Sequence, residues 1–291
     1  MRPFYNIGID KLTLCYTIEE NSILHDINNE DQEIDMGDFK LKRIESGHFK
    51  NSFLILSLWD APDGNGLTWQ VYGTLKFNRF TDKDEKCKLA WLYFDNHTLY
   101  KQVYPNVSSI IYGEYISVLL GLELHNITEI EIYIDTSSNA PRTIKKMIRN
   151  NSIETIFNGN VLERKEKQPK LGYYHTGNLN RYTDLTIYIK QQDKEGFMMK
   201  AYDKLTEIQE DSHKNYILTW HRRNTNQPLF RVELSLKHRH LKDYINSNSI
   251  ELSHNLFTVK EFLFNCFLHF ADRLIRFREQ NGKVHSALEF I

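Results

Sequence analysis

Residues 127–135 read ITEIEIYID, with Ile130, Ile132 and Ile134 on one side of an extended chain and Glu129, Glu131, Tyr133 and Asp135 on the other. Alternation with period two marks a β-strand with one buried face, because successive side chains leave opposite sides of the pleat. The same period runs through 229–237 (LFRVELSLK), where Val232, Leu234 and Leu236 oppose Arg231, Glu233, Ser235 and Lys237. Residues 7–16, 68–77, 88–94, 184–190 and 197–203 repeat it more loosely, and FLILSLW at 53–59 reads as a buried strand. The charged run TDKDEK at 81–86 joins 68–77 to 88–94 as a hairpin. Strands with one apolar and one polar face belong to antiparallel sheets. The expected class is α+β, mainly antiparallel β-sheet with flanking helices.

Three stretches read as helices. Residues 107–121 form one, and 141–150 (PRTIKKMIRN) another, with Pro141 suited to a first turn. The third, 258–280, is a long C-terminal helix. Thr258 and Glu261 have capping-box spacing, Gly282 is the stop, and Phe262, Leu263, Phe267, Phe270, Leu274 and Phe277 form an apolar stripe. Residues 158–181 read as a loop. Residues 1–245 are expected to form one domain of antiparallel sheets, with 246–291 a helical segment packed on it.

With 41% hydrophobic and 26% charged residues, the composition is that of a globular protein. No apolar run approaches the ~20 residues that span a bilayer, and the start, MRPFYNIGIDKL, lacks the pattern of a secretory signal. Cys15, Cys87 and Cys266 are too scattered for a disulfide framework or a zinc site, and point to a reducing cytoplasm. Net charge is −1 but uneven: residues 1–60 carry −5, 141–170 carry +5 and 214–242 at least +5. Such asymmetry permits a basic face on a neutral molecule. There is no GxxxxGK[ST] phosphate loop, which argues against a built-in ATP-driven helicase.

On the strand 197–204, alternation puts Lys200, Tyr202 and Lys204 on one face. A phenol has a pKa near 10. Adjacent cations favour its phenolate and can steady charge on a phosphate under attack. Glu131, Asp135 and Glu233 are oxygen ligands of the kind that suit Mg²⁺ or Mn²⁺. Arg231 offers a fork of donors to phosphate. Each of these patterns is also an ordinary solvated strand face. His238-Arg239-His240 reads as a basic extension of the 229–237 strand, and Arg142, Lys145, Lys146 and Arg149 gather on one side of a helix.

The run Lys200-Ala201-Tyr202-Asp203-Lys204-Leu205-Thr206-Glu207 resembles the tyrosine motif of the replication initiation factor family, which comprises rolling-circle plasmid initiators and related relaxases of integrative elements. Three other segments are similar to strands of that family in the same order: Gly8–Thr13, Asp184–Ile189, and Phe230-Arg231-Val232-Glu233-Leu234 with its Arg-x-Glu pattern. Glu129–Asp135 stands where the family has Arg-x-Asp-x-x-x-Asp, and Lys190 where it often has glycine.

The resemblance implies a metal-dependent enzyme that nicks an origin and keeps the 5′ phosphate on a tyrosine, leaving a 3′ hydroxyl to prime synthesis. Tyr202 matches the nucleophile, flanked by Lys200 and Lys204, and Glu233 a metal ligand, with Glu131 and Asp135 the further candidates. Arg231, Lys237, Arg239, Arg142, Lys145, Lys146 and Arg149 are the expected DNA contacts. Expected partners are origin DNA, duplex and single-stranded, and a host helicase and polymerase, with no membrane; a homodimer stays open. Two alternatives remain within DNA metabolism, a conjugative relaxase with the same chemistry and a non-catalytic DNA-binding protein. A structural sheet protein is the third.

Overall fold

A computed structural model describes every residue except 1–4, 29, 61–65, 80–87, 104–106, 163–172, 177–185, 191–195 and 291. The chain begins with strands β1 (Tyr5–Ile18), β2 (Glu33–Asp35), β3 (Phe39–Arg43), β4 (Phe49–Asp60), β5 (Leu67–Arg79) and β6 (Leu89–Phe94). Next come α1 (Asn96–Leu99), β7 (Gln102–Val103), β8 (Val107–Ser108), α2 (Ser109–Leu119), β9 (Leu122–Thr136) and α3 (Ala140–Arg149). Strands β10 (Ile153–Phe157), β11 (Asn160–Val161), β12 (Tyr173–Thr176), β13 (Thr186–Lys190) and β14 (Met198–Asp203) follow. The chain then forms α4 (Lys204–Glu207), α5 (Tyr216–Trp220), β15 (Phe230–Lys237), α6 (His238–Ser247), α7 (Lys260–Leu274), β16 (Ile275–Glu279) and β17 (Val284–Ser286). The fold is α+β with a large antiparallel sheet. The alternating stretches of the sequence form strands; TDKDEK at 81–86 and most of the loop read over 158–181 lie outside the described residues, and the described part of that loop carries strands β11 and β12 instead.

The chain divides into two compact units, one of Met1–Ile9, Glu131–His240 and Val259–Ile291, the other of Asp10–Ile130 and Leu241–Thr258. Strands β1 and β9 pass from one unit to the other along their length. The second unit carries the strand order β1-β6-β5-β4-β3-β2. Leu92 of β6 lies opposite both Leu14 of β1 and Leu75 of β5, so the alternating apolar residues of three strands meet. Tyr72 donates to the carbonyl of Ser109 at 2.6 Å, and Gly113 of α2 lets the helix approach, since a Cβ there would lie 2.7 Å from the Tyr72 hydroxyl.

In the first unit, β12-β13-β14-β15 continue to the end of β9, and a four-stranded sheet runs β11-β10-β16-β17. Helix α3 buries Ile144, Met147 and Ile148 and lies against β13, β14 and β15. Asn139 caps it, its side chain accepting from the Arg142 amide at 3.0 Å. Helix α7 packs on the same unit through Phe270, whose ring meets Phe197 edge-on at 5.0 Å.

Three local expectations change. The helix read over 258–280 stops at Leu274, and Ile275–Glu279 is β16, paired with β10 and β17. From Ile275 the sequence IRFRE alternates, burying Ile275 and Phe277 and leaving Arg276 and Arg278 less buried, so period two wins over the helical stripe. Thr258 does not cap α7: Val259 is the N-cap and the Thr258 hydroxyl bonds Asn255, while Gly282 (φ +85°) serves the β16–β17 turn. His238-Arg239-His240 does not extend β15 but forms the first turn of α6. No helix among the described residues is long and apolar enough to cross a membrane.

Candidate active site

The register of β14 on β15 places Lys200 opposite Glu233 and Tyr202 opposite Arg231. Opposed side chains on one sheet face sit within contact distance, and here they form a chain of polar contacts. The Tyr202 hydroxyl donates to Oε2 of Glu233 at 3.0 Å, and Nζ of Lys200 lies 2.5 Å from Oε1. Glu233 is fully buried and Tyr202 is 8% exposed. A buried carboxylate needs such partners, because an unpaired charge there is strongly disfavoured.

Two cations flank the ring of Tyr202, with Nζ of Lys200 5.4 Å and that of Lys204 5.6 Å from its centroid. Lys204 begins α4 and is buried, its charge met by Glu207 one turn on at 2.7 Å. Asp203 is the N-cap of the same helix, accepting from the Thr206 amide at 3.0 Å. The motif spacing thus has a local cause: Asp203 starts the turn, and the i,i+3 pair of Lys204 and Glu207 holds a cation under the tyrosine.

On the other side of β15, the end of β9 supplies three residues to the same network. Ser235 donates to Oε1 of Glu131 at 3.0 Å. Glu131 and Glu233 each present a carboxylate oxygen within 4.8 Å of the other. This all-oxygen pair, without cysteine or histidine, fits a hard divalent cation such as Mg²⁺ or Mn²⁺. Arg231 binds Asp135 through two donors, Nε to Oδ1 and Nη2 to Oδ2, both at 2.7 Å, and its guanidinium lies 4.0 Å from the Tyr133 ring centroid. The Tyr133 ring in turn runs so close to β1 that a Cβ on Gly8 would fall 2.6 Å from its hydroxyl.

Asp135 has a third partner, His221, which sequence reasoning did not single out. Its Nε2 lies 2.7 Å from Oδ2 of Asp135, and Nδ2 of Asn6 is 3.0 Å from Nδ1. A carboxylate oxygen only accepts, so Nε2 of His221 donates to Asp135. Burial pushes the Asp135 carboxyl up, but the Arg231 charge and the hydrogen bonds from Arg231 and His221 outweigh it and hold the pKa below the usual value. Both oxygens of Asp135 are therefore engaged by protein donors, and Arg231 is wholly buried. Asp135 stands outside the group of carboxylates that holds Glu131 and Glu233, and its charge and that of Arg231 are spent on each other, unlike the metal and phosphate roles expected of them.

No family model matches the sequence, and no curated protein does. Among solved structures, the chain is similar to the rolling circle replication initiator protein from Geobacillus stearothermophilus. That likeness has 12% identity and a TM-score of 0.48, over 99% of this chain and 92% of the other.

The remaining expected contacts are spread out. Arg142, Lys146 and Arg149 are exposed on α3, with Lys145 half-buried beside them. Lys237 and Arg239 are exposed where β15 gives way to α6, whereas His240 packs against Phe197 at 5.1 Å. The signal that could have found His221 is weak, a single histidine followed by Arg222 and Arg223.

Proposed function

We propose that the protein nicks one strand of DNA through a covalent tyrosine intermediate, as an initiator of rolling-circle replication on a plasmid or mobile element. The observation that carries this reading is the 3.0 Å hydrogen bond from the Tyr202 hydroxyl to Glu233, on a sheet face that also holds Lys200. In this reading Glu233 takes the phenol proton. The Tyr202 oxygen then bonds to phosphorus, the bond to the 3′ oxygen breaks, and that oxygen leaves as a hydroxyl after gaining a proton from solvent. Lys200, partly exposed, offsets the charge on the phosphate, and Lys204, buried beside the ring, favours the phenolate.

Glu131 and the Glu233 oxygen that does not face Tyr202 would hold the divalent cation. Bound there, Mg²⁺ or Mn²⁺ would polarise the scissile phosphate. Asp135 takes a different role in this reading. With Arg231 and His221 it braces β15, and so fixes where Glu233 stands. Exposed Arg142, Lys146 and Arg149 on α3, with Lys237 and Arg239, are the proposed phosphate contacts. The setting is cytoplasmic, with origin DNA, a host helicase and a polymerase as partners. A conjugative relaxase would use the same chemistry and differ in the origin it cuts.

The test is incubation with supercoiled DNA carrying the native origin. Tyr202→Phe should abolish nicking while leaving DNA binding intact; nicking that survives the change refutes the reading.

A further inference from the structure

One sheet face of the second unit gathers aromatic rings and cations that the proposed scission does not use. Trp91 and Tyr93 stand on β6, Lys76 and Arg79 on β5, and Phe49 on β4. The registers set Lys76 opposite Trp91 and Phe49 opposite Arg79, so these groups are neighbours across three antiparallel strands. The Arg79 guanidinium lies 4.0 Å from the Trp91 ring centroid, and Lys76 lies 4.8 Å from that of Tyr93. Phe49 meets Trp91 at 5.5 Å, and Cys15 of β1, opposite Trp91, joins the same cluster.

Trp91 and Phe49 are 8% and 9% exposed, whereas Arg79 is exposed and Tyr93 and Lys76 are partly so. The tryptophan thus works as a backing. It holds the exposed guanidinium of Arg79 by one plane, beside a tyrosine ring and an ammonium group that are each partly exposed. Arginine planes and aromatic rings on a sheet are the surfaces on which unpaired bases stack, and the adjacent cations meet the phosphates. A duplex, whose bases are already stacked, cannot use such planes.

We infer that this face of β4, β5 and β6 binds single-stranded DNA, with bases stacked on Arg79 and Tyr93 and a phosphate on Lys76. It goes beyond strand scission and does not depend on it. A second holding site for an unpaired strand would suit a protein that exposes one.

The test uses the full chain carrying Tyr202→Phe, so that cleavage plays no part. Binding of a labelled oligothymidylate is followed by anisotropy over a range of salt. Combining Arg79→Lys with Tyr93→Ala should weaken binding about tenfold or more while duplex binding holds. Lys76→Ala should lower the slope of log K against log salt by about 1. Photo-crosslinking of a halogenated oligonucleotide to the chain with its β5 and β6 residues intact should label peptides spanning 76–79 or 89–94. Unchanged affinity in folded variants, an equal loss for duplex, or crosslinks confined to other segments would overturn the inference.

Discussion

The hydroxyl of Tyr202 and the carboxylate of Glu233 face each other at 3.0 Å from adjacent strands, and the other oxygen of Glu233 is held by Lys200. In the proposed scission this carboxylate would accept the phenol proton. Glu233→Gln keeps a hydrogen-bond acceptor and removes the base. Nicking should fall about 10²–10⁴-fold, the range for loss of a general base, with single-strand binding retained. Nicking within a few-fold of the parent would remove Glu233 from that role.

Asp135 and Arg231 form a fully buried bidentate pair with His221 on the same carboxylate. Asp135→Asn leaves the guanidinium buried without its charge partner, which should cost about 3–5 kcal/mol of stability. Urea unfolding measures it. A loss below about 1 kcal/mol would mean that the pair is not what braces β15.

Acid should weaken the protein through His254, buried in the second unit and hydrogen-bonded to Tyr16 at 2.9 Å. Burial lowers its pKa from 6.5 to about 4. Between those values the unfolded chain binds the extra proton and the folded chain does not. Stability therefore rises with pH through this window and is lost as pH falls from 6.5 towards 4, by about 3 kcal/mol at most. His254→Gln should shrink the difference between urea midpoints at about pH 7 and about pH 4.5. An unchanged difference would assign the acid sensitivity elsewhere.

Metal removal gives a separate test of the carboxylate set. EDTA should stop cleavage, and Mg²⁺ or Mn²⁺ should restore it. Glu131→Gln should raise the concentration of metal needed for half-maximal nicking by about tenfold or more, from the loss of one charged ligand. Full activity in EDTA would exclude the ion.

Which of these side chains share a face was legible in the sequence, because strand periodicity decides it. Lys200 with Tyr202, and Arg231 with Glu233, follow from alternation alone. Contacts that depend on distant chain returning did not. Asp135 was read as a metal ligand because its partners lie far along the chain: His221 is 86 residues away and Arg231 96. Lys204 was placed on the strand face, yet Asp203 caps a helix there and turns the chain. At the C-terminus, Phe277 satisfies both a helical stripe and a two-residue alternation, and only pairing with β10 decides between them.

The most direct measurement is the site of the covalent link. The protein is reacted with DNA carrying its native origin, the adduct is digested, and the peptide attached to the 5′ phosphate is sequenced. Attachment at Tyr202 is the expected result; attachment at any of the other tyrosines, or nicking without an adduct, would contradict the account.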